Sequence, residues 1–465
     1  MEPRLFEGDF SRVGPQGELY FDGIDLGRLA RELDRPFFLL SERVVEHNYA
    51  RLARAFAAIT DFAVYYSVKT NFETEVLRTL WRLGAGAEVS GELDLSLARR
   101  AGFEPRQIVF DGPCKGDREL RLAAEQGIRL INAESVDELR RLDALARALD
   151  RPLDVGVRID PMDRRPYYDK LITTYKKKFG FHIGRCREAF DAVRACRSLR
   201  LVGLNAHIGS QILAPGLYVE ALDALFRLAA DLRREGFPIG EINIGGGFPA
   251  QSIRNLRLSR RMLGAGLLER LGGLEKPTPA IADFGRLVTR CYDANARRYG
   301  FTPRLAIEPG RSLVNNACVL VGRVRLLKPG WVFTDISVND VPANLFFAEW
   351  RVFFPGKVGA PEVARAHISG PTLSTYDVLF FEKGIPALEP GDPVVIYDTG
   401  GYSISRANQF TRPRNAVYFV TRSGELRLIR RAETVDDVMA PLVWAEPAPA
   451  HVEPGEVAAV ASVRS

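Results

Sequence analysis

Residues 62–112 read FAVYYSVKTNFETEVLRTLWRLGAGAEVSGELDLSLARRAGFEPRQIVFDG. Within this stretch FAVYYSV (62–68), AEVS (87–90) and IVFDG (108–112) are short apolar runs rich in β-branched and aromatic residues, the composition of buried strands. Between the first two lies EVLRTLWRLGA (75–85), which is long and helix-like. Strand, helix, strand is the grammar of a parallel sheet.

The alternation continues on both sides. FFLL (37–40), RLINA (129–133), VGVRID (155–160), GLNAHI (203–208), EINIGG (241–246) and LAIEPG (305–310) are further strand-like runs. VDELRRLDALARAL (136–149) and YVEALDALFRLAADLRREG (218–236) are helical, the second with apolar residues at three- and four-residue spacing. About eight strand–helix units predict an α/β fold, a (β/α)8 TIM-like barrel. An open doubly wound sheet is the alternative, weakened because no GxGxxG follows the first strand.

The pattern changes near residue 318. ACVLVGRVRLLK (317–328), WVFTDISV (331–338), PVVIYDTG (393–400), AVYFVTR (416–422) and ELRLIRR (425–431) are separated by Gly/Pro turns, which predicts a C-terminal antiparallel β domain. The expected division is an N-terminal segment at 1–35 packed on the β domain, a barrel at 36–317, the β domain at 318–445 and a Pro/Ala-rich flexible tail at 446–465.

Composition limits the function classes. Over 465 residues, 46% hydrophobic and 26% charged content describe a folded soluble chain and exclude collagen, coiled coil and disorder as whole-chain descriptions. No apolar run approaches the roughly 20 residues of a membrane span, and MEPRLFEGDFSRVG lacks the apolar core of a signal peptide. Five scattered cysteines without a CxxC suit a reducing cytoplasm and disfavour a disulfide framework or a zinc site. A net charge of +6 is a small excess, and no basic-aromatic motif accompanies it, so nucleic acid is not the expected partner.

Barrel chemistry sits at the C-terminal ends of strands, and polar residues stand there. Lys69 follows YYSV, His207 follows GLNA, Gly245, Gly246 and Gly247 follow EINI, and Glu308, Gly310 and Arg311 follow LAI. A lysine at a buried barrel mouth can lose its proton and attack a carbonyl. Glycine amides and an arginine suit a phosphate. Each residue alone has an ordinary structural explanation. Together they describe a pocket for pyridoxal 5'-phosphate: carbonyl to Lys69, ring against His207, phosphate to the glycines and Arg311, and pyridine nitrogen to Glu308. A carboxylate there keeps the nitrogen protonated and the ring electron-withdrawing.

With YYSVKTN, AEVSGELDLSLARRAGF, IVFDGPCKGDREL, KFGF, GLNAHIGSQ, INIGGGFP, AIEPGRSLV, SGPTLSTYDVL and DTGGYS in order, the chain resembles the fold-type III pyridoxal-phosphate decarboxylases, the diaminopimelate/ornithine/arginine decarboxylase family with the alanine racemase-like barrel. The resemblance covers about residues 36–430. It implies a homodimer with shared active sites acting on a small amino-acid substrate. It further implies that Ser210 and Tyr402 join Gly246, Gly247, Gly310 and Arg311 around the phosphate, and that Glu88 is the acidic partner of Lys69.

Two segments depart from the family. Its Gly-Pro-x-Cys-acid motif is Gly370-Pro371-Thr372-Leu373-Ser374 here, so the proton-donating cysteine is Leu373 and the acid that reads a distal ammonium is Ser374. Where a Leu-Tyr pair is usual, this chain has Leu345, Phe346 and Phe347. Phe346, Phe347, Leu373, Ser374 and Tyr376 are therefore the expected substrate-facing residues. A charged distal end against them would cost several kcal/mol, so the expected substrate is not lysine, ornithine or diaminopimelate. With no cysteine there, Lys69, Tyr376, Tyr402 and water remain as proton sources. Two basic stretches, Arg254, Arg257, Arg260, Arg261 and Arg270, and Lys176 to Lys178, suit docking of an acidic carrier protein. The expected activity is amino-acid decarboxylation. The rivals are a racemase or epimerase, disfavoured by Glu308, and a non-catalytic cofactor-binding regulator.

Overall fold

The computed structural model describes residues 5–162, 178–256, 275–342 and 348–443. Eight parallel strands form a closed barrel: β1 (Phe62–Ser67), β2 (Gly86–Val89), β3 (Ile108–Phe110), β4 (Leu130–Ala133), β5 (Leu153–Asp160), β6 (Leu199–Asn205), β7 (Glu241–Asn243) and β8 (Arg304–Ile307). Each pairs with the next in the chain, and β8 returns to β1 through Leu305 to Ile307. Tyr65, Val109, Leu130 and Ala306 pack together as a small separate core. The Tyr65 hydroxyl and the Arg129 guanidinium both donate to Glu241 at the start of β7, which leaves the strands' C-terminal ends as the open face.

The helices lie outside. The helix Val136–Ala148 begins where the Ser135 hydroxyl accepts from the Glu138 amide, the usual relief for unpaired amides of a first turn. The helix Ile281–Tyr299 packs closely on Glu42–Ala55. At their crossing a Cβ added to Gly285 would sit 2.0 Å from the Ala55 carbonyl oxygen. Helix propensity favours alanine over glycine by about 1 kcal/mol, but overpacking costs about 1–3 kcal/mol. Gly285→Ala is therefore expected to lower the unfolding midpoint in a thermal melt; a rise would show that the helices separate freely.

A second sheet is mostly antiparallel. Its path runs Val378–Ile385, Ala364–Ser369, Trp331–Thr334, Cys318–Lys328, Phe37–Ser41, Ala416–Val420, Leu426–Arg430, with Pro393–Tyr397 also on Cys318–Lys328. The pairings of Trp331–Thr334 with Ala364–Ser369 and of Phe37–Ser41 with Ala416–Val420 are parallel. Phe37–Ser41 corrects the expectation that FFLL belongs to the barrel. All five residues are buried, and they pair with Cys318–Lys328 and Ala416–Val420 in the second sheet. An apolar run buried on both faces reads the same in either sheet, so its pairing was not visible in its composition.

Residues before Phe37 make contacts with this sheet: Arg323 Nε donates to the Ala30 carbonyl, and the Tyr397 hydroxyl bonds Ser11 Oγ. Residues 446–465 lie outside the described residues, as do Lys176, Lys177, Arg257, Arg260, Arg261 and Arg270. All five cysteines are free, and no helix among the described residues is long and apolar enough to cross a membrane.

Candidate active site

Lys69 stands in the single turn Val68–Thr70 that ends β1. Its Nζ reaches Glu88 on β2 at 2.5 and 2.6 Å from the two carboxylate oxygens. The lysine side chain is 44% exposed toward the mouth, whereas Glu88 is buried. Burial disfavours the charge on Lys69, but Glu88, then Tyr402 and Asp111, overcome it and hold the ammonium above its ordinary range. This corrects the expectation of a lysine deprotonated by burial. The charge is stabilised by a carboxylate in contact, so that carboxylate must surrender the pair before Lys69 can act as a nucleophile.

Glu308 follows β8 and is buried. The side-chain amides of Asn205, at the end of β6, and Asn243, at the end of β7, both donate to its Oε1, at 2.9 and 2.7 Å. Burial first, then repulsion from Asp111 and Glu88, raises its pKa well above the ordinary carboxylate range, against the pull of Lys69 and Arg158. These neighbours and burial favour the neutral form of Glu308, and a cation set beside it would favour the carboxylate.

Asp111, Asn132, Glu134 and Arg158, whose residue types are ordinary near strand ends, complete the ring. Asp111, after β3, accepts from Asn132 Nδ2 of β4 at 2.6 Å, and Arg158 of β5 donates to Glu134 at 3.1 Å. The signal was present: IVFD, LINA and VRID each place a polar side chain at the end of an apolar strand.

The glycine loop is built by backbone contact. A Cβ on Gly245, Gly246 or Gly247 would lie 2.2 Å from the carbonyl oxygen of Ala206, Glu308 or Gly209 respectively, and Gly245 and Gly247 have left-handed φ of 72° and 90°. Only glycine fits. The cup of free amides expected there is partly engaged: Gly245 N–H donates to Asn243 Oδ1, and Gly246 N–H to His207 Nδ1 at 3.4 Å. His207 is exposed to the mouth and Ser210 is exposed on the following loop.

Arg311 opens the short helix after Gly310, and its Cζ lies 4.8 Å from the centre of the Tyr402 ring. Tyr402 comes from the loop after Pro393–Tyr397. That loop docks on the lysine turn, because Tyr402 N–H donates to the Thr70 carbonyl at 2.8 Å and Asn71 Nδ2 to the Gly400 carbonyl at 3.0 Å. Arg311 Nε and Nη1, Thr70 Oγ1 and Ser312 Oγ are buried with no hydrogen-bond partner among the described residues. A Cβ on Gly401 would contact Arg311 and Thr70 together. Buried unpaired donors around a guanidinium are costly unless an anion meets them. These residues fit the phosphate of pyridoxal phosphate, as Lys69 fits its aldehyde and Glu308 its ring nitrogen.

Of the expected substrate-facing residues, Leu373 and Tyr376 are held on the surface of their own chain. Leu373 is 100% exposed and Tyr376 86% exposed, so Leu373 touches no site residue of its own chain. The loop is nonetheless well held. Buried Asp377 accepts from Thr372 N, Ser337 Oγ and Val338 N, and Leu373 and Tyr376 stand outward on the loop it holds. Phe346 and Phe347 lie outside the described residues.

A family model for the pyridoxal-binding domain of pyridoxal-dependent decarboxylases matches residues 42–315. The chain is 28% identical over 434 residues to the diaminopimelate decarboxylase of Aquifex aeolicus, covering 91% of this chain and 96% of that one. It is 29% identical over 449 residues to that of Methanocaldococcus jannaschii, covering 94% and 97%. The crystal structure of diaminopimelate decarboxylase from M. jannaschii superposes with a TM-score of 0.83 at 27% identity, over 95% of this chain and 99% of that one.

Proposed function

We propose, since this chain belongs to the pyridoxal-dependent decarboxylase family, how its residues carry out amino-acid decarboxylation and which amino acids they accept. The chain is a pyridoxal-phosphate-dependent carboxy-lyase acting on a small amino-acid substrate. The observation that carries the assignment of roles is the convergence of Lys69, Glu88 and Glu308 with the unpaired Arg311 donors on one barrel mouth. When bound, pyridoxal phosphate supplies an electron-withdrawing ring that stabilises negative charge at the substrate Cα.

Lys69 would hold the aldehyde carbon, with Glu88 taking up the proton that its ammonium gives away. Glu308 would give its proton to the ring nitrogen and face it as a carboxylate, kept in place by Asn205 and Asn243. His207 would cover one face of the ring and fix its tilt. Arg311, Gly310, Gly246, Gly247, Ser210 and Tyr402 would hold the phosphate, with Thr70 and Ser312 adding hydroxyl donors. Leu373 has no proton to give; the ammonium of Lys69, restored by Glu88 in contact with it, would be placed to return a proton to Cα. A second copy would be needed to bring the outward loop of Leu373 and Tyr376 to this mouth, which supports a homodimer.

Two observations bear on the substrate and pull apart. The relatives compared above are diaminopimelate decarboxylases, which favours diaminopimelate. The chain's own loop favours an amino acid without a distal charge, because Leu373 and Ser374 stand where the family reads one. Specificity lives in the groups that touch the substrate rather than in overall likeness, so we rank the loop first. The test is a panel of amino acids assayed for CO2 release and for α-proton exchange. Apolar or side-chain-blocked amino acids are expected to exceed diaminopimelate and lysine by on the order of 10²-fold or more in kcat/KM. Efficient turnover of diaminopimelate would restore the relatives' substrate. Exchange without CO2 would indicate a racemase. An acidic carrier protein, by contrast, would have to dock on basic stretches that lie largely outside the described residues.

A further inference from the structure

Arg351 is buried beneath the second sheet and touches none of the residues assigned to the cofactor. It pairs with two buried carboxylates. Its Nε and Nη2 donate to the two oxygens of Asp398, at 2.8 and 3.0 Å, and its Nη1 donates to Asp9 at 2.7 Å. A planar guanidinium can satisfy both partners at once through this fork; an ammonium cannot.

The network then reaches three of the loops assigned to the phosphate. Asp398 precedes the Thr399-Gly400-Gly401-Tyr402 turn and sits at a left-handed φ of 66°, an uncommon conformation that aspartate tolerates better than most residues. Asp398 also accepts from the Ser252 hydroxyl, five residues beyond Gly247 in the glycine loop. Asp9 accepts from Asn316 Nδ2 at 2.8 Å, in the segment that follows Arg311. Asn316 in turn accepts from Asn48 Nδ2 at 2.7 Å, and that same amide group donates to the Leu313 carbonyl. One buried guanidinium thus ties together the glycine loop, the Arg311 helix and the Tyr402 turn, three segments well separated along the chain.

Resting on the cofactor assignment above, we propose that Arg351 is a positioning residue. Through Asp398, Ser252, Asp9 and Asn316 it sets the spacing of three of the loops that grip the phosphate, and so sets the preference of the protein for the phosphorylated cofactor. The role is carried by geometry rather than by charge alone, so the charge-conserving Arg351→Lys should lose it.

The test uses the full chain stripped of cofactor and titrated with pyridoxal phosphate and, separately, with pyridoxal, which lacks the phosphate. The wild type is expected to prefer the phosphate ester. In Arg351→Lys the affinity for pyridoxal phosphate should fall about tenfold or more while that for pyridoxal stays within about twofold of wild type. Ser252→Ala, which removes one hydroxyl and leaves the ion pairs intact, should shift the same ratio in the same direction by a smaller factor. Thermal melts of the stripped proteins, run in parallel, report fold integrity. An unchanged ratio in both variants would overturn the proposal whatever the melts show, and so would an equal loss for both ligands. A wild type with no preference for the phosphate ester would overturn the cofactor assignment itself, a failure distinguishable from the others because it precedes any substitution.

Discussion

Lys69→Ala is expected to abolish CO2 release and the visible absorbance of the bound cofactor together. The side chain has two properties at this position: a nucleophilic nitrogen and a charge in contact with Glu88. Lys69→Arg separates them. It keeps the cation beside the carboxylate but cannot condense with an aldehyde at neutral pH, because its guanidinium does not deprotonate. Both variants should lose on the order of 10⁴-fold or more in kcat, the scale on which removing a covalent catalyst acts. Only the alanine variant should also change stability, and modestly, since the lysine side chain is substantially exposed. Steady-state CO2 assays and absorbance of the purified proteins check the prediction. Activity of Lys69→Arg within tenfold of wild type would remove Lys69 from the chemistry and leave Glu88 and Glu308 without a nucleophile to serve.

Lys115→Met is the substitution expected to cost the most stability without touching the chemistry. Lys115 and Glu138 are 1% and 2% exposed as side chains and lie 2.7 Å apart. The ammonium also donates to the carbonyls of Gly112 and Asn132, at 2.8 Å each, so all three of its protons are used. Methionine has similar length and volume, so the change creates little cavity. It strands a buried carboxylate and two carbonyls, a loss of about 3–5 kcal/mol. The double variant Lys115→Met with Glu138→Leu removes the stranded charge and should recover a large part of that. Denaturant midpoints at constant slope measure both. Equal midpoints for the single and double variants would mean that water reaches Glu138 and that the pair is not effectively buried.

The barrel was readable from the sequence because each strand–helix unit carries its own local signal. A short apolar run, a turn and an amphipathic stretch repeat from residue 62 to residue 310. Phe37–Ser41 escaped for the converse reason. Strand character is local, whereas the identity of the neighbouring strand depends on residues 318–328 and 416–420, far along the chain. The residues proposed for the cofactor stood out where their type is unusual for a strand end, as with Lys69 and Glu308. Asn205 and Asn243 did not stand out, since an asparagine after an apolar run is an ordinary turn residue. Their significance lies in donating to one oxygen of Glu308 from two different strands.

Charge states followed the same division. Lys69 and Glu308 could be named from their positions, but not their protonation. Burial disfavours the charge on both. The carboxylate of Glu88 in contact keeps Lys69 charged, while Asp111 and Glu88 together push Glu308 toward its neutral form. These are interactions across the barrel mouth, between residues tens to hundreds of positions apart.

Residue type and periodicity by themselves determined the class of fold, the order of its parts and the cofactor's chemical family, and the resemblance to the family marked the position where the substrate loop departs from it. Each of those is written in a window of a few to a few tens of residues. Only the tertiary structure decided which sheet takes Phe37–Ser41, which neighbours favour the charged Lys69 and the neutral Glu308, that Leu373 is fully exposed on its own chain, and that Arg351 joins three separate loops. Those depend on which side chains meet in space. A buried ion pair or a shared hydrogen bond is a property of two or more segments at once, and neither segment records it alone.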